Sequence, residues 1–147
     1  MATIDEITQE ISRLIPQIAR HANAKSFAKI HVTPAQLIML MSIHAHGKCK
    51  LKTLAIERKI SPPTVTGLID RLLNDGYVKK APDLEDRRAA LVSLTKKGED
   101  ITRRHMATIQ DLWKNVLIHL TRKEQEQYLR ILKKIVTILS KKEGRLD

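Results

Sequence analysis

The strongest constraint on this chain's fold is a pair of helical patterns a few residues apart, followed at once by two strand-like runs. The stretch is 54–95, reading LAIERKI, SPPTVTGLIDRLLNDG and YVKKAPDLEDRRAALVSLT. In its middle, Val65, Leu68, Ile69, Leu72 and Leu73 recur at i, i+3, i+4, i+7 and i+8, the spacing that lays one apolar face along a helix. Ser61 suits the N-cap and Pro62 the first helical position, and Gly76 predicts the stop, so a helix is expected over 62–75. Residues 51–58 predict a shorter helix before it, with Leu51, Leu54 and Ala55 facing inward. Strands are expected at 77–81 and 89–94, joined by a long loop of turn formers and charges at 82–88.

Two helices in tandem and a basic hairpin predict a mainly α fold with a small β-hairpin, a winged helix-turn-helix. The remaining segments predict helices around it. Ile4, Ile7, Ile11, Leu14, Ile15, Ile18 and Ala22 share one face of a helix over 4–27, and Pro16 inside it predicts a kink. This stripe exceeds what a small winged domain can cover, which points to a dimer interface. Thr33, Pro34 and Gln36 form a capping box with proline at the first position. The helix they open runs to Gly47 with Leu37, Ile38, Leu40, Met41 and Ile43 on most sides, and is expected to be buried. Residues 48–50 suit a short strand beneath the wing. Thr95 caps a helix carrying Ile101, Ile109, Leu112, Trp113, Val116 and Leu117. Thr121 with Glu124 opens a last one, bearing Tyr128, Leu129, Leu132, Ile135, Val136 and Leu139 and fraying over 141–147. One domain over 1–147 is expected, with dimerisation helices at 1–30 and 100–147 and the reader at about 33–97.

The outward face of the 62–75 helix, comprising Pro63, Thr66, Gly67, Asp70, Arg71 and Asn74, has no large apolar anchor, so it is suited to a polar partner. A DNA major groove ~12 Å wide admits one helix by its N-terminal end. Small side chains there let the backbone approach. Ser61, Thr64 and Thr66 supply hydroxyls, Pro62 and Pro63 rigid surface for thymine methyls, and Gly67 space. Exposed amides at the helix start favour a phosphate, and Arg71, two turns on, suits a backbone phosphate. In the loop, Arg87 and Arg88 suit a narrow, electronegative minor groove. Asp86 beside them is expected to hold an arginine in position rather than touch DNA.

Charge agrees with that partner: 27 Lys+Arg against 16 Asp+Glu give a net +11, a lean toward a polyanion. Basic residues continue over 122–145, which leaves open a sequence-indifferent DNA-coating protein. A winged-helix module binding an acidic protein is the other alternative. Aromatics make up only 3%, too few for platforms that stack single-stranded bases. No carboxylate pair, Ser/His/Asp set or Gly-rich phosphate loop stands out, so no enzyme, cofactor or metal is expected. No apolar run approaches the ~20 residues of a membrane span. The acidic opening MATIDEITQEI predicts no export signal, and the single cysteine suits a reducing cytoplasm.

These residues resemble the MarR family of bacterial transcriptional regulators over nearly the whole chain, most specifically over 54–99. The D-x-R wing signature stands as Asp86-Arg87-Arg88, and Leu94-Thr95-Lys96-Lys97-Gly98 matches the family's start of its fifth helix. The resemblance implies a homodimer bridged by its first, fifth and sixth helices. It further implies a double-stranded, pseudo-palindromic DNA partner, operon repression, and release of DNA by a small-molecule effector or an oxidant. Two positions depart from the pattern. Arg58 and Lys59 stand where the family usually has an apolar residue and a glycine. A left-handed lysine costs on the order of 1 kcal/mol, so a looser or differently shaped turn is expected. Gly67 replaces a long base-reading side chain of some relatives, implying fewer base contacts and more reliance on wing and shape.

Cys49 is the candidate redox switch if Lys48 and Lys50 lower its thiol pKa; as a small strand residue it is simply buried. His44 and His46 lie about 200° apart around a helix, which argues against one shared metal with Cys49.

Overall fold

The computed structural model describes residues 1–27 and 31–143. The ends of the expected dimerisation segments, 28–30 and 144–147, lie outside the described residues. Among the described residues, six helices and three strands follow in the order α1 (Ile4–Phe27), α2 (Pro34–His46), β1 (Lys48–Lys50), α3 (Leu51–Arg58), α4 (Pro62–Asn74), β2 (Val78–Pro82), β3 (Ala90–Leu94), α5 (Lys96–Leu117) and α6 (Arg122–Glu143). The fold is a mainly helical winged helix-turn-helix. The chain divides into two compact units, Met1–Ile109 and Gln110–Asp147.

Local chemistry sets most helix ends. The Thr33 side chain accepts from the Gln36 N–H while the Gln36 side chain accepts from the Thr33 N–H, completing the capping box of α2. Thr121 and Glu124 repeat that exchange at the start of α6. Ser61 caps α4 by accepting from the Thr64 N–H. Thr95 Oγ1 accepts from the Gly98 N–H to open α5. At the far end of α4 the Tyr77 N–H reaches the Leu72 carbonyl and the Gly76 N–H reaches that of Leu73, the paired bonds of a Schellman stop.

In the first unit one core gathers Leu37, Leu40 and Ile43 of α2, Leu54 of α3, Val65, Ile69 and Leu72 of α4, Val92 of β3 and Ile101 of α5. The sheet is antiparallel in the order β1-β3-β2. Val92 sits opposite Cys49 on one side and Lys80 on the other, and Val78 pairs with Leu94. Both strands of the wing lie one residue later at their starts than the apolar pattern predicts. Tyr77 is still engaged in the stop of α4, so pairing begins at Val78. Pro82, expected in the loop, ends β2 instead; β2 is an edge strand, where a residue lacking an N–H costs no ladder bond on its open side.

Two further expectations change. Ile38 and Met41 of α2 are 44% and 37% exposed, because this helix packs one side against α4 and β3 and leaves the other uncovered in the single chain. The Arg58-Lys59 turn is not loose. Lys59 adopts the left-handed conformation (φ 53°, ψ 42°), with its N–H to the Ile56 carbonyl and that of Ile60 to Ala55. This is again the Schellman arrangement, with half-buried Ile60 packed on the core as its apolar contact. Arg58 lies exposed, its Nε donating to Ser42 Oγ at 3.0 Å.

Helix α1 runs through Pro16, and Ile4, Ile7, Ile11, Leu14, Ile15 and Ile18 along it are all exposed. In the second unit, Trp113 and Tyr128 meet at a tilt of 39°, 5.6 Å between ring centroids, and Gln125 donates to the carbonyls of Leu117 and Leu120 across the turn. Leu129, Leu132, Ile135, Val136 and Leu139 of α6 are exposed. Among the described residues no helix is long and apolar enough to cross a membrane.

Candidate nucleic-acid interface

Three buried residues, Val65, Ile69 and Leu72, anchor α4 to the core, and this turns its opposite side and its first turn outward. Ser61, Pro62, Pro63, Thr64, Thr66, Gly67 and Arg71 are all exposed on that outward surface. A Cβ built at Gly67 meets nothing within 4 Å, so the position is an open notch.

Hydrogen bonding within the helix limits what these hydroxyls can offer. Thr66 Oγ1 donates to the Pro62 carbonyl at 3.0 Å, so toward a base it can only accept. Ser61 Oγ and Thr64 Oγ1 lie 2.7 Å apart, one donating to the other, which leaves a single hydroxyl proton between them. An amino group of adenine or cytosine, a donor, is the base-edge chemistry this set meets most readily. Asp70 and Lys80 of β2 face each other at 3.8 Å with much of both side chains in solvent, a pair of small energetic weight.

The wing is organised by a residue the sequence pattern did not single out. Asp83 is buried, although it lies in a charged loop. Its Oδ1 accepts from the Glu85 N–H at 3.0 Å and its Oδ2 lies 3.4 Å from Lys50 Nζ on β1. Its own N–H reaches the Ala89 carbonyl and closes the loop. The Glu85 N–H, reinforced by Lys50, holds the Asp83 carboxyl below the usual carboxylate range against the opposing effect of burial. An aspartate two residues before a turn amide is the only sequence signal for such a role; the lysine that completes it lies far away in the chain. Asp86 reaches Arg88 through the main chain, its Oδ1 accepting from the Arg88 N–H at 3.0 Å. Its carbonyl takes the Ala89 N–H. Arg87 and Arg88 are exposed at the tip.

The remaining candidates lie away from this surface chemistry. Cys49 is buried, as expected of a small strand residue, and desolvation, with the nearby Glu57 carboxylate, pushes its thiol pKa up, opposite to the lowering on which the redox-switch alternative depends. His46 Nε2 pairs with Glu57 Oε1 at 2.7 Å while His44 Nδ1 faces Glu99 Oε1 at 3.7 Å. The two rings thus serve different elements, α3 and α5. Outside these candidates, His105 of α5 is buried, and that burial pushes its pKa down.

A capped helix held across a tight turn from its partner, with a pinned basic hairpin beside it, defines a winged helix-turn-helix DNA-binding protein. Residues 32–90 match the MarR family model. The chain is 32% identical over 111 residues to the HTH-type transcriptional repressor MdtR of Bacillus subtilis (strain 168), covering 76% of this chain and 72% of that one. It is 31% identical over 108 residues to the multiple antibiotic resistance protein MarR of Salmonella typhimurium, covering 73% and 75%. Among solved structures, the YusO protein of Bacillus subtilis superposes with a TM-score of 0.70 at 27% identity, over 92% of this chain and 99% of that one. A mutant MarR from E. coli complexed with operator DNA gives 0.67 at 25%, over 91% and 99%. This chain belongs to the MarR family. It is accordingly a homodimeric DNA-binding transcriptional regulator and not an enzyme.

Proposed function

We propose that the protein is a cytoplasmic repressor that places Pro62–Asn74 in the major groove and the 82–88 wing in the adjoining minor groove of each half of a pseudo-palindromic operator. The observation that carries this reading is the exposed first turn of α4, with Ser61, Pro62, Pro63, Thr64 and Thr66 turned outward by a buried opposite face. The mutant MarR from E. coli solved with operator DNA supports it. Arg71 would hold a backbone phosphate, Arg87 and Arg88 would enter the minor groove, and Asp86 would fix the Arg88 main chain. The exposed apolar stripes of α1 and α6 suit cover by a second copy, as expected of dimerisation segments at 1–30 and 100–147. Two-fold symmetry then sets the readers about one helical turn, ~34 Å, apart. A small-molecule effector releases DNA by favouring a dimer with a different spacing.

The test is selection of genomic fragments by purified protein, followed by titration of the best fragment and a scrambled duplex at two salt concentrations. A palindromic motif with a large specific-to-scrambled ratio is expected. Equal binding to both, lost together as salt rises, marks a coating protein instead. Binding to neither moves the function to an acidic protein partner. Removal of residues 1–20 is expected to abolish tight operator binding; a truncated monomer that binds as tightly refutes the dimeric mechanism.

A further inference from the structure

Five residues, Leu84 to Arg88, form the tip of the wing, and four of them are charged. The fifth, Leu84, is 97% exposed and gains nothing from its own fold. A scattered surface leucine is ordinary, but the backbone on both sides of this one is fixed. Before it, the buried Asp83 is held through Lys50, and its N–H is bonded to the Ala89 carbonyl. After it, the Glu85 N–H is tied back to Asp83 Oδ1. On the returning side, Asp86 binds the Arg88 N–H with its carboxylate and the Ala89 N–H with its carbonyl. Leu84 is therefore presented by a braced loop rather than a slack one.

We infer that Leu84 is an apolar wedge that enters the minor groove beside Arg87 and Arg88 and partly unstacks a base step there. This rests on the placement of the wing in the minor groove proposed above. Apolar side chains interposed from the minor groove, leucine and methionine among them, unstack and kink duplexes, most readily at the flexible TA and CA/TG steps. The arginines supply attraction to a narrow groove, and the leucine, once between bases, exchanges water for a stacked apolar surface. The wing thereby reads deformability at a step where it makes no hydrogen bond. This suits a reader whose Gly67 notch and internally bonded hydroxyls leave few base-edge contacts.

The experiment uses the full chain and its selected operator, with 2-aminopurine placed in turn at each step flanking the major-groove half-sites and dyes at the duplex ends. Wild-type protein is expected to raise 2-aminopurine fluorescence at one step per half-site and to shorten the end-to-end distance. Leu84→Ala is expected to abolish that rise and weaken binding about tenfold, with the salt slope unchanged because no charge is removed. Leu84→Met is expected to restore both. Converting the responsive step to a stiff A-tract is expected to weaken wild type but not Leu84→Ala. Fluorescence and affinity of Leu84→Ala equal to wild type overturn the wedge. The double variant Arg87→Ala, Arg88→Ala separates the two levels of the argument. If it binds weakly with a shallower salt slope while Leu84→Ala is unaffected, only the wedge fails. If its affinity and salt slope are unchanged, the wing does not enter the groove and both readings fail. Substitution at so exposed a position leaves folding intact.

Discussion

Replacing Gly98 by alanine puts a Cβ 2.0 Å from the Tyr77 carbonyl oxygen and 3.1 Å from its carbon, with Leu94 Cδ2 at 3.4 Å. The first two obstacles are backbone and cannot swing away. Tyr77 is locked between the stop of α4, through its N–H to Leu72, and the start of α5, through its carbonyl to the Thr95 N–H. Restoring van der Waals separation requires α5 to retreat by about 1 Å. Its first turn is tied at that point by Thr95 Oγ1 to the Gly76 carbonyl at 2.6 Å and by Lys97 Nζ to the Asp75 carbonyl at 2.7 Å. Losing two such hydrogen bonds costs about 1 kcal/mol each, and overpacking adds roughly 1–3 kcal/mol. The better helix propensity of alanine returns at most about 1 kcal/mol. The net expectation is a destabilisation of about 2–4 kcal/mol, a large share of a total stability of roughly 5–15 kcal/mol.

Gly67→Ala is the internal control. It makes the same chemical change inside α4, where the new Cβ meets nothing within 4 Å, so it is expected to stabilise by up to about 1 kcal/mol. Thermal and urea unfolding followed by circular dichroism, at one protein concentration because dimerisation shifts the midpoint, reads both. Gly98→Ala is expected to melt on the order of 10 °C lower and Gly67→Ala slightly higher. If the two variants shift together, the close approach of α5 to Tyr77 is not what holds these elements, and the reasoning fails.

Cys49, buried with a raised thiol pKa, is expected to react with iodoacetamide near pH 7.5 only as fast as the protein opens; labelling at the rate of a free thiol contradicts its burial. Lys59→Gly is expected to stabilise by up to about 1 kcal/mol, since only glycine takes the left-handed conformation without a Cβ penalty; a loss in urea midpoint contradicts this. The Asp83 carboxyl pKa is depressed by folding, so its contribution to wing order is complete above the unfolded value of about 3.9 and is lost as pH falls through the lower folded value. Amide exchange at Glu85 is accordingly expected to show no carboxylate-dependent loss of protection from neutral pH to about pH 4, with release only below. Release centred between pH 5 and 6 contradicts the assigned geometry.

The helices and the outward-facing side of α4 were legible in the chain because the interactions that define them are short-range. Thr33 with Gln36, Ser61 with Thr64, and Thr121 with Glu124 are each complete within three residues, and the apolar face of α4 repeats with the helical period. The same locality made the outward face readable by subtraction, from Pro63 to Arg71. Positions that depend on a distant partner were not legible in this way. Lys59 closes a regular turn because Ile60 finds the core behind it, so packing offsets its left-handed strain. The burial of Cys49 was legible as that of a small strand residue; the upward direction of its pKa also depends on the distant Glu57 carboxylate. Asp83 is buried and its local bond to Glu85 reinforced because β1 brings Lys50 to it, and Gly98 is indispensable only because α5 starts against Tyr77. Periodicity and capping act over a single turn of helix, whereas the dielectric and contacts around a side chain depend on elements far away in sequence, and these appear only once the chain has folded.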